Sequence, residues 1–218
     1  MTTKMNTHFI TRRRFVQISA LLAAAALPAC GKPAPHAALP AGSKILALGD
    51  SLTAGYGADA AAAYPAVLAG FSGWQVINGG VSGNTSAQAL ARLPQLLKQQ
   101  PQLVLVSIGG NDFLRKVPEA ETRSNIRQIL QQIKAAGVPA VLVAVPYFTT
   151  GALFGRLSEH PMYEELAAES SVPLFKGAWA EVLGDKKLKS DQIHANAQGY
   201  RVFAEKMWAF LKQQGFAR

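Results

Sequence analysis

The 218-residue chain has a single cysteine, Cys30, so no intramolecular disulfide and no cysteine-based zinc cluster can form within it. Charged residues are scarce, 16% against 49% hydrophobic, which excludes the composition of a disordered chain and supplies apolar surface for one core. Basic excess is modest once located. Four of the 22 Lys and Arg (Lys4, Arg12, Arg13, Arg14) precede Cys30 with no Asp or Glu among them, leaving 18 against 13, a net +5. No basic run is interleaved with aromatics, so nucleic acid is not an expected partner, and Lys186, Lys187 and Lys189 read as a solvated face.

What is present at the N-terminus reads as an address. Arg12-Arg13-Arg14-Phe15-Val16 precedes the apolar stretch Ile18 to Leu27, too short for a membrane-spanning helix of about 20 residues. The paired arginines resemble a twin-arginine export signal. Leu27-Pro28-Ala29-Cys30 resembles a lipoprotein cleavage box, which makes Cys30 the candidate lipidation site and membrane tether. Cleavage of a conventional signal near Ala29 is the alternative. Residues 1–30 are thus read as an export signal to the periplasm or cell envelope. Residues 31–43, rich in Pro and Ala, are read as a linker, and 44–218 as the folded domain, expected to be a monomer.

Within that domain, short runs rich in Val, Ile and Leu recur at Ile45 to Leu48, Val76 to Ile77, Leu103 to Ile108, Val138 to Val145 and Val172 to Phe175. Stretches with helical spacing separate them: Ala60 to Ala69, Ser86 to Gln99, Glu119 to Ala136 and Pro161 to Glu169. A last helix, Ala197 to Gln213, carries Phe203, Met207, Phe210 and Leu211 on one face. Alternation of this kind predicts an α/β fold, with a mainly parallel five-stranded sheet between two helix layers. Ligands then bind where loops leave the carboxyl ends of the strands.

Polar turns occupy those ends. Gly49-Asp50-Ser51-Leu52 follows the first strand and exposes a hydroxyl; Ser82, in Asn78-Gly79-Gly80-Val81-Ser82-Gly83-Asn84-Thr85-Ser86 after the second, is a competing one. The backbone N–H of Gly83 is a candidate oxyanion donor, and Thr85 or Ser86 a candidate helix cap. Gly109-Gly110-Asn111-Asp112 follows the third strand and adds a side-chain amide that cannot lose its proton. Asp191-Gln192-Ile193-His194 precedes the last helix, with the carboxylate able to reach the far ring nitrogen in one turn. Of four histidines, His8 lies in the leader, His36 in the linker, and His160 has no aspartate nearby in sequence, so His194 is the economical general base. The bland reading of each turn, local hydrogen bonding and helix capping, holds for any one of them alone.

Taken together, the four blocks resemble the SGNH (GDSL) hydrolase family: Gly49-Asp50-Ser51-Leu52 the first, Gly83 the second, Gly109-Gly110-Asn111-Asp112 the third, and Asp191-x-x-His194 the last. Ser82-Gly83-Asn84-Thr85-Ser86, Ala91-Arg92-Leu93-Pro94 and Gly110-Asn111-Asp112-x-Leu114-Arg115 are similar to its bacterial thioesterase, lysophospholipase and arylesterase branch. The lipase-type Gly-x-Ser-x-Gly elbow is absent, against the α/β-hydrolase family. The resemblance implies an α/β/α sandwich and acyl transfer with Ser51 as nucleophile, His194 as base and Asp191 as its orienter. The oxyanion hole would come from the N–H groups of Ser51 and Gly83 and the amide of Asn111, with no cofactor and no metal. Asp50, Phe113, Leu114, Phe148 and Phe154 are the expected substrate contacts, and their apolar majority suggests short to medium acyl or aryl esters, with lysophospholipids or acyl thioesters as secondary substrates. A polysaccharide O-acetylesterase and a tethered, non-catalytic binding protein are the alternatives.

Overall fold

The computed structural model describes Met1, Thr2 and residues 37–147 and 157–218. The chain divides into two units, Met1–Ala34 and Pro35–Arg218, and all elements below belong to the second. Residues 3–36, which hold most of the stretch read as an export signal together with Cys30, lie outside the described residues, as do Phe148 and Phe154.

Among the described residues, five strands form one all-parallel sheet: β1 Lys44–Gly49, β2 Gln75–Gly80, β3 Leu103–Ser107, β4 Ala140–Val143 and β5 Leu174–Phe175. Their order is β2-β1-β3-β4-β5. β1 is buried from Ile45 onward and β3 throughout, as strands covered on both faces must be. The last two strands are shorter than their apolar runs: pairing stops at Val143 and starts at Leu174.

Helices fill the connections: α1 Ser51–Ala54, α2 Tyr64–Ser72, α3 Ser86–Leu97, α4 Gly110–Leu114, α5 Glu119–Ala135, α6 Met162–Ser170, α7 Ala178–Gly184 and α8 Ala197–Gln213. The expected helix over Ala60 to Ala69 is broken. A 3₁₀ turn at Ala60–Ala62 ends in extended Ala63, and α2 starts afresh with Pro65 in its first turn, where a missing N–H costs nothing. Thr85 caps α3 in a reciprocal capping box with Gln88.

Two helix layers result. α2, α7 and α8 pack together, as do α3, α5 and α6. The chain steps one way from β1 to β2 and the other way through β3, β4 and β5, and right-handed crossovers then put the two sets of helices on opposite faces. On the α8 side Trp179 stacks on Phe203 at 3.7 Å, with Tyr64 edge-on to it. Phe203, Met207 and Leu211 are buried as their spacing predicts, while Phe210 is half-exposed against Phe175. The end of the stretch read as a linker is held by the domain: Leu39 donates its N–H to Phe216 O, its carbonyl accepts from Trp74 Nε1, and Ser43 is buried. The reversal of direction at β1 leaves a crevice beyond the carboxyl ends of β1 and β3, the place where sheets of this order bind ligands.

Candidate active site

Ser51 stands at that crevice as the first residue of α1. Asp50 caps the helix, its Oδ1 accepting Leu52 N–H at 3.0 Å. α1 folds back so closely on β2 that a Cβ on Gly80 would lie 2.2 Å from Ala54 N, which only glycine permits.

The Asp191–His194 turn comes to Ser51 from before α8. His194 Nε2 is 3.0 Å from Ser51 Oγ, and His194 Nδ1 is 2.7 Å from Asp191 Oδ2. Asp191 Oδ1 accepts the N–H groups of Ile193 and His194, both at 2.9 Å. Partial burial would raise the Asp191 pKa, but the bonds from the His194 ring and from those two N–H groups hold it below the ordinary aspartate value. An ionised carboxylate only accepts, so Nδ1 carries the ring proton and Nε2 is left to take one from Ser51. The pair does not cap α8; Asn196 does, its Oδ1 accepting Gly199 N–H at 3.0 Å. The Tyr56 ring lies 4.4 Å from the imidazole, and Tyr200 Oη donates to Tyr56 O at 2.7 Å.

Asn111 and Gly83 complete the arrangement. Asn111 Nδ2 donates to Asn84 O at 3.0 Å and lies 3.5 Å from Asp50 Oδ2. Gly83 has φ +80, a conformation costly for any residue with a side chain, and its carbonyl accepts from Arg115 Nη2 at 2.8 Å. Ser82, the competing hydroxyl, is exposed on the same turn, while the imidazole bonds Ser51.

Several site residues were not legible in sequence, or were legible with a different role. Asp50, expected to contact substrate, is 2% exposed and turns both oxygens inward; burial, partly offset by its bond from Leu52, raises its pKa to about 7. Asp112 is buried and accepts from Ser86 N at 2.8 Å and Ser86 Oγ at 2.5 Å, with Thr122 Oγ1 at 3.4 Å, tying α4 to the starts of α3 and α5. Phe113 and Leu114 lie on α4 and not in an open loop: Phe113 stacks on His160 and meets Tyr147 edge-on, whereas Leu114 is exposed. Tyr56, in the turn after α1, and Val81, on the loop leaving β2, are exposed as well.

With this geometry in view, the chain matches the model of the GDSL-like Lipase/Acylhydrolase family over residues 47–202. It belongs to that family. The GDSL-like chain is similar to thioesterase 1/protease 1/lysophospholipase L1 of Escherichia coli K12, with 42% identity over 77% of this chain and 82% of that protein. Esterase TesA of Pseudomonas aeruginosa is 31% identical over 79% of this chain and 89% of that protein. Among solved structures, the psychrotrophic esterase EstA from Pseudoalteromonas sp., inhibited by monoethylphosphonate, superposes with a TM-score of 0.68. That match has 26% identity and covers 78% of this chain and 97% of the other. The GDSL-like fold, site geometry and relatives agree: the protein is a carboxylic ester hydrolase.

Proposed function

We propose that the protein hydrolyses short to medium acyl or aryl esters through an acyl-enzyme on Ser51, with lysophospholipids and acyl thioesters as further substrates. One observation carries the reading, the unbroken chain from Asp191 through His194 to Ser51 Oγ. Ser51 attacks the ester carbonyl as His194 Nε2 takes its proton. The imidazolium, stabilised by Asp191, then protonates the leaving alcohol or thiol. In the second half His194 activates water, which releases the acid and restores Ser51.

The tetrahedral oxygen is held in this mechanism by the N–H groups of Ser51 and Gly83 and by Asn111. Asn111 Nδ2 carries two hydrogens: Asn84 O takes one, and the other meets only the long contact to Asp50, which leaves it free for the oxyanion. Leu114, with Val81 and Tyr147 exposed on neighbouring loops, provides apolar surface for the acyl group, each buried methylene contributing about 0.8 kcal/mol. The twin-arginine-like leader and Leu27-Pro28-Ala29-Cys30 support export and lipidation at Cys30, which intact-mass analysis of membrane fractions tests.

A fluorophosphonate probe is expected to label the wild type and not Ser51→Ala; labelling and hydrolysis that survive the substitution would move the nucleophile to Ser82 or elsewhere. Across p-nitrophenyl esters from acetate to palmitate, kcat/KM should rise beyond acetate and then fall. Strict preference for acetate, with acetate released from polysaccharide, would replace this substrate class by an O-acetylesterase.

A further inference from the structure

Arg92 takes no part in the mechanism above, yet its guanidinium sits beneath it. From α3 it donates Nη2–H to Gly49 O at 2.6 Å, Nη1–H to Gly79 O at 2.5 Å and Nε–H to Asn84 Oδ1 at 2.8 Å. Gly49 is the last residue of β1, two before Ser51, and Gly79 lies at the corresponding end of β2. Asn84 closes the turn that carries Gly83, its own N–H donating to Val81 O at 3.1 Å. The carbonyl of the same Asn84 holds Asn111 Nδ2.

One side chain therefore reaches each component of the oxyanion site: the strand leading to Ser51, the turn presenting Gly83, and, through Asn84, the amide of Asn111. We propose that Arg92 is the positioning residue of the oxyanion hole, fixing Gly83 and Asn111 relative to Ser51 by clamping Gly49 O, Gly79 O and the Asn84 side chain. The inference rests on the proposed function, because it concerns donors assigned there.

The chemistry requires arginine. Three acceptors in three directions match a planar fork with five N–H donors, whereas a lysine ammonium is a compact charge that cannot span them. Burial lowers the Arg92 pKa and the nearby Asp50 raises it, but a guanidinium stays charged at any pH of interest, so the clamp does not titrate. Donors aimed before the reaction act on charge that develops only in the transition state, so loss of aim lowers kcat while ground-state binding is spared.

The test compares Arg92→Lys, Arg92→Met and Asn84→Ala in the full chain, with Arg127→Met as a control that removes only the surface pair with Glu169. Kinetics on p-nitrophenyl butyrate are read together with the affinity for a trifluoromethyl ketone, which forms a tetrahedral oxyanion on the nucleophile. Expected are a fall in kcat of roughly 10- to 100-fold with KM within about threefold, and a parallel loss of affinity for the ketone. Arg92→Lys should fail to rescue, and Arg127→Met should leave both readouts unchanged. Folded Arg92 variants that melt lower but keep kcat and ketone affinity would overturn the proposal. If neither Arg92 variant folds, Asn84→Ala decides, since it keeps both glycine contacts: an unchanged kcat refutes the clamp and the predicted fall supports it. Failure of the site reading itself is separate, because it would appear as hydrolysis by Ser51→Ala.

Discussion

The two halves of the site are held in opposite ways. The base half is local: Asp191 and His194 lie three residues apart, and the carboxylate that orients the imidazole also closes the turn that carries it. The half proposed to hold the oxyanion is assembled across the chain: Asn111 bonds Asn84 27 positions away, Asp112 bonds Ser86 26 away, and Arg92 bonds Gly49 43 away. Asp191 is half-exposed, while Asp50 and Asp112 are buried. A local, solvated turn can lose its function without loosening the fold; a buried, long-range network cannot.

Breaking the base half should have the largest effect on rate and little on stability. Asp191→Ala is expected to lower kcat by about 10³- to 10⁴-fold, because the imidazole loses the partner that sets its tautomer. Its melting temperature should stay within about 2 °C of wild type, as for a partly exposed group outside the core. A large loss of stability in a melt would show that the turn is not local in its energetics.

Next in size is Asn111→Ala, with kcat falling by about 10²- to 10³-fold and KM little changed, as for loss of one oxyanion donor. A matching rise in KM, measured on the same ester, would mean that the amide binds substrate in its ground state.

Asp112→Ala sharpens the comparison from the other side. Removing the carboxylate leaves the Ser86 N–H and hydroxyl buried without their acceptor, at a cost of about 3 kcal/mol and roughly 6–12 °C in Tm. Thermal melts check this, and an unshifted Tm would mean that other groups or water satisfy Ser86.

The smallest effect is a pH dependence. The Asp50 carboxyl ionises near 3.8 when unfolded and near 7 when folded, so unfolding between those values releases a proton. Stability contributed by this group falls as pH rises through that window and levels off above it. Between pH 5 and 8 the wild type should lose roughly 2 kcal/mol more than Asp50→Asn in denaturant melts. Parallel curves for the two proteins would show that Asp50 is ionised throughout.

Sequence alone determined the features with local causes. The period of the apolar runs specified the alternating elements and their parallel sheet, and Asp191-x-x-His194 marked a carboxylate–imidazole pair because a single turn brings those side chains together. Ser51, Gly83 and Asn111 were legible as residues at strand ends. The α2 break at Ala63 had a local signal in Pro65 that the apolar spacing masked. Tertiary structure decided what depends on the sheet order β2-β1-β3-β4-β5, which no local pattern encodes. That order sets the ends of β1, β2 and β3 side by side, so that Arg92 reaches two strand-end carbonyls and Asn84. It also turned Asp50 from an expected substrate contact into a buried cap: burial is a property of the surrounding chain, and a carboxylate in a glycine-rich turn reads the same whether it faces solvent or the core.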